Sequence, residues 1–328
     1  MTYLRYNYCN KCRVNRGHSI KMYHYTLVDV FTTVPFGGNQ LAVFEDAEGL
    51  TTEMMQVLAN ELNLSETAFV FPSDNFHKTK KVRIFTPKLE LPMAGHPTIG
   101  AAYALATNET VKTHEGRNDW IFEEGVGDIP LTVYKEGNII TKVEMEQPIA
   151  EFGERFMDVE AAAQLLSISE EDIDTKLPMQ TVSSGVPFLF IPIRSLEAMR
   201  KIRLRTDIWQ ERFSATPSRQ HIFAFTTETV EVTSHVHSRM FAPAIGISED
   251  PATGGASGPL GAYLIEYGVI SNTEEGMYHI RGEQGFEMGR QSHIDITIRK
   301  ARNTIQQIKV GGPAVINGSS QIFINEEG

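Results

Sequence analysis

From Tyr25 onward the apolar positions come in short runs separated by Gly, Pro and polar residues, the pattern of a chain built mostly of strands with a few helices. The runs "YTLVDVF" and "QLAVFED" flank "TTVPFGGN", which predicts two strands joined by a Gly-rich connection. Residues 51–63 change period: Met54, Val57, Leu58 and Leu62 recur at helical spacing, with Thr52 as the expected cap. "LSETAFVF" returns to period two, so Leu64, Glu66, Ala68 and Val70 share one strand face, and a carboxylate sits among apolar neighbours. In "PMAGHPTIGAAYALA" an apolar run is broken by Gly95-His96-Pro97. Pro97 suits the first helical position, which predicts a helix starting beside His96. Gly95, without a Cβ, leaves the free N–H groups of that helix end open to close approach by an anion.

The same passage occurs twice. "VRIFTPKLELPMAGHPTIGAAYAL", from Val82, is echoed by "SRMFAPAIGISEDPATGGASGPLGAYL", from Ser238. Each copy has Arg, an apolar residue, Phe, a small residue and Pro, then a loop, a Gly-rich turn at Gly95 or Gly254, and a helix of small residues. The chain therefore reads as α+β, with two pseudo-symmetric domains, each a mixed β-sheet wrapped around a central helix. Residues 1–22 read as a disordered basic arm or a misassigned start, outside the fold in either case, 23–128 as the first half and 129–328 as the second, whose C-terminal strand is expected to return to the first half.

Composition narrows the function. A chain of 328 residues with formal charge −11 and a sequence pI near 5.4 offers no basic surface for nucleic acid. No apolar run reaches membrane-spanning length and the N-terminus lacks the apolar core of a secretory signal, which gives the expectation of a cytoplasmic protein acting on a small molecule. The two cysteines, Cys9 and Cys12, both lie in the arm with five basic and no acidic residues. One Cys-x-x-Cys pair supplies only half of a zinc site, and the body of the chain has no thiol nucleophile.

Three residues stand out chemically. Glu66 on its apolar strand face, His96 at the first repeat's helix start and Asp250 ahead of the second together suffice for general acid–base chemistry on a carbon acid. Burial raises the pKa of such a glutamate and makes it competent near neutrality. If the two repeated helix ends face one cleft, their dipoles favour a small anionic metabolite beside Gly95, Gly254 and Gly255. Asn39 in "FGGNQ" is read both as a substrate-side residue and as a turn residue. His235 and His237 share a strand face but are read as surface residues, and "EQGFEMGR" as a structural turn; no metal site is assigned.

The motifs "DVFTTVPFGGNQLAVF", "LSETAFVFP", "RIFTPKLELPMAGHPTIGAAYAL", "EDPATGGASGPLGAYL" and "EQGFEMGRQS" resemble the PhzF-like, phenazine-biosynthesis family of isomerases over residues 23–328. The resemblance implies a diaminopimelate-epimerase-like fold with the site between two similar halves, no metal or organic cofactor, and commonly a homodimer. It implies that Glu66 of the "SET" motif carries a proton between two carbons of the substrate. Gly95, His96, Asp250 and Gly254 match residues that hold and polarise the ligand. The chain departs from the family at Gly255, where Ser is frequent. Two-thiol epimerases of related fold carry their cysteines where this chain has Ala94 and Thr253, neither of which titrates usefully, so a two-thiol racemase is excluded. The rival expectation is a non-catalytic protein that keeps the cleft for metabolite or protein binding.

Overall fold

The computed structural model describes residues 19–270 and 275–326. Strand β1 (Ser19–Val30) lies antiparallel to β2 (Asn39–Phe44) across the Gly-rich connection. Helix α1 (Thr52–Leu62) crosses to β3 (Glu66–Phe71), which is parallel to β2, and β4 (Lys80–Phe85) returns antiparallel to β3. The short β5 (Glu90–Leu91) pairs back on β4 ahead of α2 (Gly95–Thr107). β6 (Gly116–Glu124) then joins β4 in parallel, and β7 (Gly127–Glu136) and β8 (Ile139–Gln147) follow as antiparallel hairpins.

After β9 (Glu151–Arg155) and α3 (Val159–Leu166) the same course is run again. β10 (Gln180–Ser183) and β11 (Pro187–Pro192) form a hairpin. Helices α4 (Leu196–Lys201) and α5 (Thr206–Arg212) cross to β12 (Ile222–Thr226), parallel to β11. β13 (Val236–Ala242) returns antiparallel, β14 (Ile247–Asp250) pairs back on it, and α6 (Gly254–Glu266) follows. β15 (Gly276–Gln284) is parallel to β13, with β16 (Ser292–Ala301) and β17 (Thr304–Gly312) completing the series. Every pairing of the first half has its counterpart in the second.

β18 (Ala314–Glu326) returns to pair with β1, as β9 pairs with β10, and β17 pairs with β8 to join the halves into one sheet. The expected boundary at residue 128 is displaced, because β7 and β8 pack on α2 in the first half; the change of half falls after Gln147. The expected arm is shorter too. Residues 1–18, with Cys9 and Cys12, lie outside the described residues, but Ile20 and Lys21 belong to β1, paired with Asn325 and Ile324.

The strands wrap two helices that are buried on all sides. Gly95 to Ala106 are all buried in α2, as are nearly all residues of α6. Small residues are needed there: a Cβ on Gly100 would stand 2.5 Å from Leu41 Cδ2 and 2.7 Å from Val30 Cγ2. Helix α1 lies outside this core and covers the other face of β3. Its buried stripe is Met55, Leu58 and Ala59, packed with Phe69 and Phe85, so the expected face is out of phase and Val57 is exposed. Its cap is Thr51, whose side chain accepts from Met54 N, one residue before the expected Thr52. No helix of the described residues is long and apolar enough to cross a membrane.

Candidate active site

The two central helices meet end to end. An ideal Cβ on Gly254 would lie 3.5 Å from Gly95 Cα, and one on Gly95 would lie 2.9 Å from Gly255 N. At Gly95 only glycine permits this approach, which brings two positive dipole ends to one place. Helix α2 begins at Gly95 with Ala94 as its cap, so Pro97 is its third residue rather than its first. The N–H that proline lacks would be unpaired at either position.

Around this junction lies a cavity of ≈ 170 Å³ lined by Glu66, Gly95, His96, Asp250, Gly254 and Gly255, with Ala94 and Thr253 at the helix caps. Six of the seven residues singled out from sequence therefore share one wall. Asn39, the seventh, stands behind it: its Nδ2 lies 2.8 Å from Asp250 Oδ1, 2.9 Å from Ala252 O and 3.2 Å from His96 Nδ1. Asn39 thus ties the first half's imidazole to the second half's carboxylate. None of the residues lining the cavity is Lys or Arg, so an anion there meets helix ends rather than a cation.

Glu66 is the first residue of β3, and its Oε2 lies 3.3 Å from His96 Nε2. Both atoms are buried and neither makes a hydrogen bond within the protein. Such atoms are rare in folded proteins and call for an explanation at each site. Burial, with the neighbouring Asp250 charge as a second cause, pushes Glu66 well above the usual carboxylate range. Burial lowers His96 to about 3, so the imidazole is neutral. Asp250 is raised to about 6 by burial, against the opposing pull of hydrogen bonds from Thr253 and Asn39. The site therefore holds a neutral His96 and two carboxyl groups that burial raises, Glu66 and Asp250.

The "EQGFEMGR" segment, expected to be a turn, supports this wall. Gln284 Nε2 donates to Asp250 O (2.7 Å) and Thr253 Oγ1 (2.9 Å), and its Oε1 accepts from Thr253 N (3.1 Å). Arg290 donates to Gly37 O, Gly38 O and Asp29 Oδ1, and so pins the loop that delivers Asn39. His237 is not on a strand surface. It is fully buried between Glu283 (2.8 Å) and Glu287 (3.0 Å), carboxylates that its neighbours in sequence do not announce. His235 is exposed, with Nδ1 accepting from Arg281 N. Ser184 and His221 line the cavity as well, and nothing near them in the sequence marks them.

Comparison with known proteins adds the family context. A family described as phenazine biosynthesis-like protein matches residues 28–319. The chain is 36% identical to an uncharacterized isomerase of Clostridium acetobutylicum, covering 93% of this chain and 100% of that protein. It is 31% identical to the trans-2,3-dihydro-3-hydroxyanthranilate isomerase of Pseudomonas chlororaphis, covering 92% of this chain and 100% of the relative. The crystal structure of the Bacillus anthracis phenazine biosynthesis protein, PhzF family, superimposes with a TM-score of 0.84 at 27% identity, over 93% of this chain and 100% of that one.

Proposed function

This chain belongs to the phenazine biosynthesis-like protein family and is an isomerase, and we propose that it moves a proton between two carbons of a small anionic metabolite without metal or organic cofactor. Glu66 is the shuttle. A carboxyl group whose pKa is raised toward the working pH takes a proton from carbon and returns it with comparable ease. His96 and Asp250, held by Asn39, position and polarise the substrate, whose anionic group is met by the paired helix ends at Gly95, Gly254 and Gly255. The observation that carries this reading is the buried, unpartnered pair Glu66 Oε2 and His96 Nε2, 3.3 Å apart on the wall of the cavity.

The N-cap positions sharpen the reaction class. Ala94 caps α2 and Thr253 caps α6, with the Thr253 hydroxyl donating to Asp250 Oδ2. With no thiols at these positions, the site has one proton-carrying carboxyl beside a neutral imidazole. That favours moving a proton over inverting a centre. A homodimeric, cytoplasmic enzyme is part of the same reading.

The test follows proton exchange. Incubation with trans-2,3-dihydro-3-hydroxyanthranilate and a panel of small cyclic acids in deuterated water is expected to place deuterium on carbon in at least one of them, and Glu66→Gln is expected to abolish it. A ligand that binds the cavity with no carbon-bound exchange would favour the rival, a binding protein built on the same frame.

A further inference from the structure

The internal two-fold assigns a counterpart to Glu66. Arg83-Ile84-Phe85-Thr86-Pro87 and Arg239-Met240-Phe241-Ala242-Pro243 are the repeated segments. In the first half Phe85 pairs with Thr67, and in the second Phe241 pairs with Ile222. The residue before Thr67 is Glu66, and the residue before Ile222 is His221. Both line the same cavity, one from each half.

His221 Nδ1 is buried and has no hydrogen-bond partner within the protein, and the same holds for Ser184 Oγ. Ser184 is 4% exposed and sits in the turn between β10 and β11, whose tip also lines the cavity. Val186, Phe188, Met240, Ile245 and Ile247 line the same cavity from the second half, and the Phe188 ring lies 5.7 Å from that of His221. Two polar atoms in an otherwise apolar wall are the arrangement that fixes ligand orientation and specificity.

We infer that Ser184 and His221 form a specificity subsite that hydrogen-bonds an uncharged polar substituent, a hydroxyl above all, carried by the substrate apart from its anionic group. The inference rests on the isomerase reading of the cavity but concerns binding alone. Burial lowers the His221 pKa, so the ring meets its partner as a neutral hydrogen-bonding group rather than as a cation. The division of labour follows: helix ends take the anion, Glu66 takes the proton, and the second half's polar pair selects which acid enters. A site of this kind discriminates because an analogue without the substituent forgoes its hydrogen bonds and leaves buried polar atoms unpaired.

The experiment measures affinity, not turnover, with aromatic acids that cannot undergo the proton shift. Binding of 2-aminobenzoate is compared by calorimetry with that of its 3-, 4- and 5-hydroxy derivatives, using the wild-type protein, Ser184→Ala, His221→Asn and His221→Leu. At least one hydroxylated acid is expected to bind about three- to tenfold more tightly than 2-aminobenzoate, the worth of one or two neutral hydrogen bonds. Ser184→Ala and His221→Leu should remove that preference by weakening the hydroxylated acid towards 2-aminobenzoate or by strengthening 2-aminobenzoate, since neither variant leaves its polar atom unpaired when the hydroxyl is missing. His221→Asn, which keeps a polar atom near the Nδ1 position, should retain part of it. Absence of any hydroxyl preference in the wild type, absence of all binding, or a preference that survives both Ser184→Ala and His221→Leu would overturn the assignment. Ser184→Ala removes only a turn hydroxyl and keeps the test valid if His221→Leu does not fold. Failure of the isomerase reading would show instead as unaltered hydroxyl preference with no proton exchange on any substrate.

Discussion

Replacing Glu66 by Gln separates the electrostatic cost of this residue from its chemical use. Gln has the shape of the protonated acid, so the folded variant resembles the wild type below the carboxylate range. In the unfolded chain Glu66 titrates near the ordinary value of 4.5, whereas in the folded chain its pKa is well above that. Between those two values the unfolded state has lost the proton and the native state still holds it. The wild type therefore loses stability relative to Glu66→Gln as pH rises, at about 1.4 kcal/mol per pH unit, from pH 4.5 up to the raised native value, and the difference is constant above it. Asp250, itself raised from 3.8 to about 6, titrates in both proteins, but it meets the Glu66 charge only in the wild type, so the difference carries their coupling together with the desolvation of Glu66.

Denaturant unfolding of both proteins at intervals from about pH 5 to about pH 9 measures this difference. The variant is expected to be the more stable protein at the alkaline end. Its proton transfer is expected to fall by ~10²–10⁴, the contribution of a positioned general acid–base group. The two results bear on different links of the reasoning. A pH-independent stability difference would show that Glu66 is not held in a desolvated site. Wild-type turnover in Glu66→Gln would remove it from the mechanism whatever its pKa.

Three further outcomes follow from the same geometry. Gly95→Ala places a Cβ against the backbone of Gly254 and Gly255, at 3.0 Å and 2.9 Å, and should cost about 1–3 kcal/mol with loss of turnover, whereas Gly255→Ser meets nothing within 4 Å and should fold normally while changing KM; thermal melts and kinetics distinguish them. Arg290→Met leaves Asp29, whose side chain is 1% exposed, without its cationic partner, and should cost about 3 kcal/mol in denaturant unfolding along with a raised KM from misplacement of Asn39; a stability change near zero would refute the anchoring role. Gln284→Leu strips Asp250 O and Thr253 of three hydrogen bonds and should destabilise by on the order of 3 kcal/mol, with ligand affinity falling more than for substitutions of the buried His237 cluster on the far side of β15.

What the sequence made legible was local. Glu66, His96, Gly95, Asp250 and Gly254 each sit in a short segment whose own pattern sets their direction: a period-two strand or a Gly-rich helix start. Asn39 reads two ways from sequence because its partners, Asp250 and Ala252, lie more than two hundred residues away. Arg290 has the same character, acting on Gly37 and Gly38 near the other end of the chain, while Gln284 reaches back more than thirty residues to Asp250 and Thr253. The phase of α1 was misread because Val57 continues the apolar pattern although it faces solvent. His221 was hidden by a loop. It lies twenty residues before Phe241, while Glu66 lies nineteen before Phe85, so aligning the repeats by offset misses the match that strand pairing supplies.

The internal two-fold also bears on the proton shuttle proposed for Glu66. The frame supplies equivalent positions from both halves, and the sequence fills them unequally. The side-chain oxygens of Thr98 and Ser257 donate to the carbonyls of Ala94 and Thr253, which aligns the two helix starts residue by residue. On that alignment His96 faces Gly255 across the axis, an imidazole against open space. Glu66 stands against His221, and Asp250, paired with Met240, stands against Leu91, paired with Ile84. A symmetric set of acids and bases would present proton donors to both faces of a substrate and suit inversion. Here the more strongly perturbed carboxyl, Glu66, and the neutral imidazole come from the first half, and the Asp250 carboxyl comes from the second. Under the proposed mechanism this asymmetry fixes the orientation of the substrate, with its exchangeable carbons toward Glu66, and a proton is expected to leave and return on one face.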